Sequence, residues 1–226
     1  MAITATHHEL CKSLNVRRGS SLLEIVEANW YGDIDPQSVG LSRKESLFDV
    51  AKEFYQQWFS PSEVVSVDKN GSDFALRIDL NCPLRLEKRF GVIINHGTAE
   101  HVFDVAQVFR TMHDHCDVDG WMIHDAPLTG WIDHGFYCLQ PTLFYDIAAA
   151  NRYEIALVAV HEIRSRAICR IDCRDHVAAI SDSIPKNSML FVAFRRRLLS
   201  PFEIPYQGYY SRTISPESAW AWEQNR

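Results

Sequence analysis

The stretch FGVIINHGTAEHVF, residues 90–103, decides the fold. FGVIIN (90–95) is short, apolar and β-branched, the pattern of a strand buried on both faces. Gly97 and Thr98 then break the run, and residues 99–115 carry Val102, Ala106, Phe109 and Met112 on one helical face. A buried strand that turns directly into an amphipathic helix is half of a βαβ unit.

The same alternation runs outward in both directions. Upstream, SLLEIVE (21–27) reads as a strand and NWYGDIDPQSVGL as a loop. A helix is expected over 43–59, with Ser42 as N-cap, Glu45 completing a capping box, and Leu47, Val50, Ala51, Phe54 and Trp58 on its apolar face. EVVSVD (63–68) and FALRIDL (74–80) are strand-like around an Asn70-Gly71 turn. Downstream, GWMIHDAP (120–127) is a strand, residues 128–140 a loop, and Pro141 opens a helix to about Tyr153. EIALVAVHEI and SMLFVAFRRRL (188–198) are the last strands. The expectation is an α/β chain: a Rossmann-like, doubly wound, mostly parallel seven-stranded sheet with an antiparallel C-terminal edge. Residues 1–20 read as a loose arm or a short helix, 21–212 as the domain, and 213–226 as a polar, aromatic tail.

Composition narrows the function. The chain has 226 residues, 46% of them hydrophobic and 23% charged, which is globular and neither disordered nor fibrous. A net charge of −6 disfavours nucleic acid as partner, and the Arg195-Arg196-Arg197 triplet reads as exposed charge at a strand end. The N-terminus shows no apolar signal segment, and the longest apolar runs are too short to span a membrane. A cytoplasmic protein with reduced thiols at Cys11, Cys82, Cys116, Cys138, Cys169 and Cys173 is expected. The partner expected is a small molecule, and the aromatic tail leaves room for a homodimer.

Doubly wound sheets bind ligands at the carboxyl ends of their strands. Asp68 and Asp79 end successive strands there, and an acid after the second strand can accept ribose hydroxyls. Asn95, His96, Gly97, Glu100 and His101 gather at one strand-to-helix turn. His124 ends the next strand and His134 lies in the following loop. A histidine here suits a general base, because it titrates near neutrality. Glu100 with His101, His124 and His134 could also hold a metal. No pair has the i, i+4 spacing of helical metal sites, however, and none is assigned.

Three segments carry a resemblance. DLNCPL (79–84), GTAEHVF (97–103) and DHGFYCLQPTLFYDIAAANRY (133–153) resemble elements of class I S-adenosylmethionine-dependent methyltransferases. More narrowly, they resemble a bacterial branch with a GTxEHVF signature. The resemblance implies S-adenosylmethionine as cofactor and methylation of oxygen or nitrogen on a small molecule, a sugar or a natural-product intermediate. It implies that Asp68 takes the ribose, that Asp79 and Leu80 lie beside the adenine, and that Asn95, His96 and Gly97 border the transferred methyl. It implies Glu100, His101, His124, His134 and Tyr137 around the reaction pocket, with His101 or His134 as base. Trp30, Tyr31, Trp131, Phe136 and Tyr137 are candidates for an acceptor wall.

The first turn departs from that pattern. The chain holds only 10 glycines, and Val26 and Ala28 stand where the family carries them. Either their side chains crowd the methionine end, or this branch uses a different first loop in which Glu24 or Glu27 holds the amino group. The alternative reading is a methyltransferase-fold protein that has lost methyl transfer. It would then serve as a binding partner or perform other acid/base or metal-assisted chemistry.

Overall fold

The computed structural model describes residues 2–211. The proposed tail at 213–226 lies outside them. A short strand β1 (Ala2–Ile3) leads into helix α1 (Ala5–Lys12), followed by β2 (Leu22–Glu24), β3 (Asn29–Trp30), α2 (Leu47–Trp58) and β4 (Val64–Ser66). Then come β5 (Phe90–His96), α3 (Val105–His115), the long β6 (Cys116–Thr129), α4 (Pro141–Asn151) and β7 (Glu154–Glu162). The described chain closes with β8 (Ile168–Arg170), α5 (Arg174–Ile180), β9 (Ser188–Arg195) and α6 (Gly208–Ser211).

Seven strands form the main sheet in the order β4-β2-β5-β6-β9-β7-β8. The pairs up to β5–β6 are parallel, and those of β9 with β6 and β7 and of β8 with β7 are antiparallel. This is the expected Rossmann-like sheet with its antiparallel edge. One member differs. Residues 74–80 pair with the sheet only through a Val67–Leu76 bridge, with Phe74 exposed, and the seventh strand is β8. An edge segment with its apolar side chain in water gains little from pairing, so it stays irregular.

Strand alternation separates two apolar layers. Ile93, Met122, Val158, Val192 and Phe194 face α3 and α4 through Val108, Phe109, Met112, Phe144 and Ile147. Val92, Ile94, Ile123, Ala159 and Phe191 face α1 and α2 through Leu10, Cys11, Val50, Phe54 and Tyr55.

Two helix starts shift. α2 begins at Leu47, and Ser42 does not cap it; instead its N–H and hydroxyl both donate to Glu53. Residues 99–101 form one 3-10 turn, and α3 starts only after Asp104, whose carboxylate caps Gln107. Residues 2–12 take the helical of the two expected forms and are packed into the molecule. Thr4 caps α1 by accepting from the His7 N–H, and β1 pairs in parallel with β3. Among the described residues no helix is long and apolar enough to cross a membrane.

Candidate active site

β5 and β6 run in register, with Asn95 opposite His124 and His96 opposite Asp125. Because side chains alternate, the first pair points to the α3–α4 layer and the second to the α1 layer. That parity sorts the candidate residues into different environments.

On the α3–α4 side, His124 is buried among Phe109, Phe144 and Phe194. It meets the Asn95 amide at 3.2 Å, and burial pushes its pKa down to about 3. Asn95 accepts from the Ala99 N–H, which ties the strand to the turn after it. The structure therefore does not bring His124 to the rim with the other histidines. It is a neutral core residue.

On the α1 side, Asp125 is the hub. His7 Nδ1 lies 2.9 Å from one carboxylate oxygen and His161 Nε2 2.8 Å from the other. Burial alone would raise the Asp125 pKa, but the two imidazoles hold it well below the carboxylate range. The ionised carboxylate only accepts, so both ring nitrogens donate. Burial keeps His7 neutral, and the single lone pair of its Nε2 faces both His96 Nδ1 at 3.0 Å and the Cys11 thiol at 3.2 Å. Thr6 donates in turn to His161 Nδ1 at 2.7 Å. His7, Asp125 and His161 were not among the residues expected at the site. The available signal was a polar residue closing each of two apolar strands, GWMIHD and ALVAVHE.

Above this network lies a cavity of about 250 Å³ lined by Tyr31, His96, Asp125, Trp131, His134 and His161, among others. Of the expected aromatic wall, Tyr31 and Trp131 are present. Trp30 is core, with its indole N–H donating to Ile34. Phe136 packs on Phe103 outside the cavity, and the Tyr137 hydroxyl donates to the Phe103 carbonyl.

Glu100, His101 and His134 meet at one corner. The Glu100 carboxylate is 0% exposed, and neither of its oxygens has a hydrogen-bond partner. Burial raises its pKa to about 8. His101 Nε2 and His134 Nε2 lie 3.8 and 3.9 Å from it, and burial lowers the His101 pKa. The loop carrying His134 is held here because Phe136 N–H donates to the Glu100 carbonyl at 2.8 Å. Gly135 permits the approach, since a Cβ there would come within 2.9 Å of that carbonyl.

The residues expected to hold a cofactor lie along the ends of β2, β4 and β5. Asp68 follows β4 and accepts from the Asn70 N–H, and exposed Asp79 accepts from Asn81. Leu80 is buried beside it, and Gly97 turns the chain at φ +59°. Glu24 and Glu27 are committed elsewhere. Glu24 is buried and accepts from Ser66 Oγ and Ala28 N–H, with its pKa raised to about 7 by burial. Glu27 accepts from the Ser72 N–H and hydroxyl at 2.6 and 2.8 Å, with Lys52 at 3.3 Å. Burial would raise Glu27, yet these partners hold it below the usual range. In the first turn Val26 has φ +152°, in the range that favours glycine.

No family model and no curated protein matches the chain. Solved structures do. An S-adenosylmethionine-dependent methyltransferase from Mesorhizobium loti superposes with TM-score 0.54 at 13% identity, over 85% of this chain and 98% of that one. The YcgJ protein of Bacillus subtilis gives 0.53 at 11%, over 86% and 99%. The N-methyltransferase NodS from Bradyrhizobium japonicum, in complex with S-adenosylhomocysteine, gives 0.50 at 13%, over 86% and 89%. At such identities the likeness establishes the fold, which is that of these methyltransferases.

Proposed function

We propose that this chain is an S-adenosylmethionine-dependent methyltransferase acting on a small-molecule acceptor at oxygen or nitrogen. The observation that carries the reading is the position of the cavity on this fold. It opens at the carboxyl ends of β5, β6 and β7, next to the Asn95–Gly97 turn, where a doubly wound sheet presents its ligands. Its volume suits a small acceptor rather than a polymer.

The fit to the cofactor is good at the adenosine end, where Asp68, Asp79 and Leu80 offer two acids and an apolar side chain. Asn95, His96 and Gly97 would border the reacting end. When bound, the cofactor supplies an activated methyl group for in-line displacement. The chain's own residues do the rest. Tyr31 and Trp131 exclude water and orient the acceptor. For a hydroxyl acceptor, His134 or His101 would take the proton. His96 would be positioned by His7 and Asp125.

The commitment of Glu24 and Glu27 to Ser66, Ser72 and Lys52 favours a second reading, a methyltransferase fold that no longer transfers methyl. Isothermal titration of the full chain with S-adenosylmethionine and S-adenosylhomocysteine separates the two. Methyl transfer predicts micromolar binding of both, weakened roughly tenfold or more in Asp68→Ala. No heat at millimolar ligand would remove the enzyme reading.

A further inference from the structure

We propose that Glu100, His101 and His134 form a binding site for a divalent first-row transition-metal ion at the edge of the cavity. The argument begins with the Glu100 carboxylate, fully buried with both oxygens unpartnered. Burying such a group without compensation costs several kcal/mol, so a fold that places it there needs a counterpart. Protonation removes the charge but not the missing hydrogen bonds, because the His101 and His134 imidazole nitrogens stand at 3.8 and 3.9 Å, beyond hydrogen-bond reach.

Those separations suit ligands around a shared ion. Donors about 2.1 Å from a metal lie roughly 3.0–3.4 Å from each other. One donor atom from each of the three residues already lies within 4.8 Å of the other two. Small rotations of two imidazoles that are 40% and 35% exposed close the gap.

The donor chemistry selects the ion. Two neutral imidazoles and one carboxylate favour zinc, iron, manganese, cobalt or nickel over magnesium or calcium. Three protein ligands leave further positions open, and the exposure of both imidazoles directs those positions outward. His134 also lines the cavity, so an acceptor lying in it would sit beside the ion. With the ion bound, His101 and His134 are ligands and no longer bases.

The backbone prepares the corner. His101 follows Glu100 on the 3-10 turn, and the N–H groups of Phe136 and Tyr137 converge on the Glu100 carbonyl. Gly135 lies so close that a Cβ would come within 3.1 Å of His101 Nδ1. The second candidate cluster, His7, His96 and Asp125, differs in kind. Its His7–Asp125 and His7–His96 contacts are ordinary hydrogen bonds, so it is a polar core network.

The test uses the full chain without a polyhistidine tag, stripped with chelator and titrated with Co²⁺. Visible ligand-field absorption is the direct readout, with Zn²⁺ competition and thermal melting alongside. The expected result is one ion per chain and a Zn²⁺-dependent rise in Tm. His101→Ala, His134→Ala and Glu100→Gln should each weaken binding at least about tenfold and abolish the rise, while far-UV circular dichroism stays native. His7→Ala, which breaks the other cluster, should bind Co²⁺ as wild type does. The proposal is overturned if no ion binds below millimolar concentration. It is equally overturned if His7→Ala removes binding while His101→Ala and His134→Ala retain it. No cofactor is present in this titration, so its failure is distinct from failure of the methyl-transfer reading.

Discussion

At the scale of single residues, two positions in the first turn make opposite demands. Glu24 is pushed up to about 7 by burial, so the folded state holds a proton that the unfolded chain releases near 4.5. The sign follows from linkage: the contribution is intact below 4.5, is lost as pH rises to 7, and stays lost above it. The loss is about 3 kcal/mol over that window. Glu24→Gln keeps an acceptor for the Ala28 N–H and turns an amide N–H to Ser66 Oγ, which then accepts instead of donating, and it should remove this slope. Urea melts of both proteins between pH 4.5 and 7.5 check it. His124 slopes the other way but is common to both proteins and cancels. A difference that does not change with pH would refute the assignment. Val26 carries the second demand, a β-branched side chain at φ +152°. Val26→Gly should relieve about 1 kcal/mol of strain and raise Tm by about 2–4 °C. A lower Tm would show that the valine packing outweighs the strain.

At the scale of elements, α1 is a structural member of the site. Its His7 and Thr6 reach Asp125 and His161 at the ends of β6 and β7, and β1 pairs with β3 beside the first turn. Removing the hub leaves two buried imidazole N–H groups without their acceptor, so Asp125→Ala should cost about 1–3 kcal/mol for each of them. Hydrogen exchange over residues 2–12 should then accelerate more than exchange in β9. Equal acceleration everywhere would mean that the network does not anchor α1 specifically. The short elements were the ones least legible in the sequence. β1, β3 and β8 have two or three residues each, too few to show a period; β1 and β3 pair only with each other, and β8 adds to the edge of β7.

At the scale of the whole molecule, the doubly wound order follows from strands and helices alternating along the chain. Its consequence is that β2, β4, β5, β6 and β7 end along one edge. If that edge binds cofactor and acceptor together, S-adenosylhomocysteine should protect residues 68–80 and 95–101 from hydrogen exchange and leave β8 and α5 unchanged. Protection confined to the cavity residues Tyr31, Trp131 and His161 would instead mean that the ligand occupies the acceptor side alone.

What the sequence by itself determined was the architecture and the rim. FGVIIN turning into an amphipathic helix, repeated before and after, commits the chain to a covered parallel sheet, because a strand buried on both faces has no other stable surroundings. It also gathered Glu100, His101, His124 and His134 at one rim, since a strand end and the loop after its neighbour meet at the same edge, and all but His124 do meet there. Only the tertiary structure decided which histidines share an environment. His124 and Asp125 are adjacent in the chain, yet they face opposite layers because successive side chains on a strand point to opposite faces. His7 joins Asp125 across more than a hundred residues because α1 packs on that face. Such pairings depend on register and on long-range packing, and neither leaves a local pattern to read.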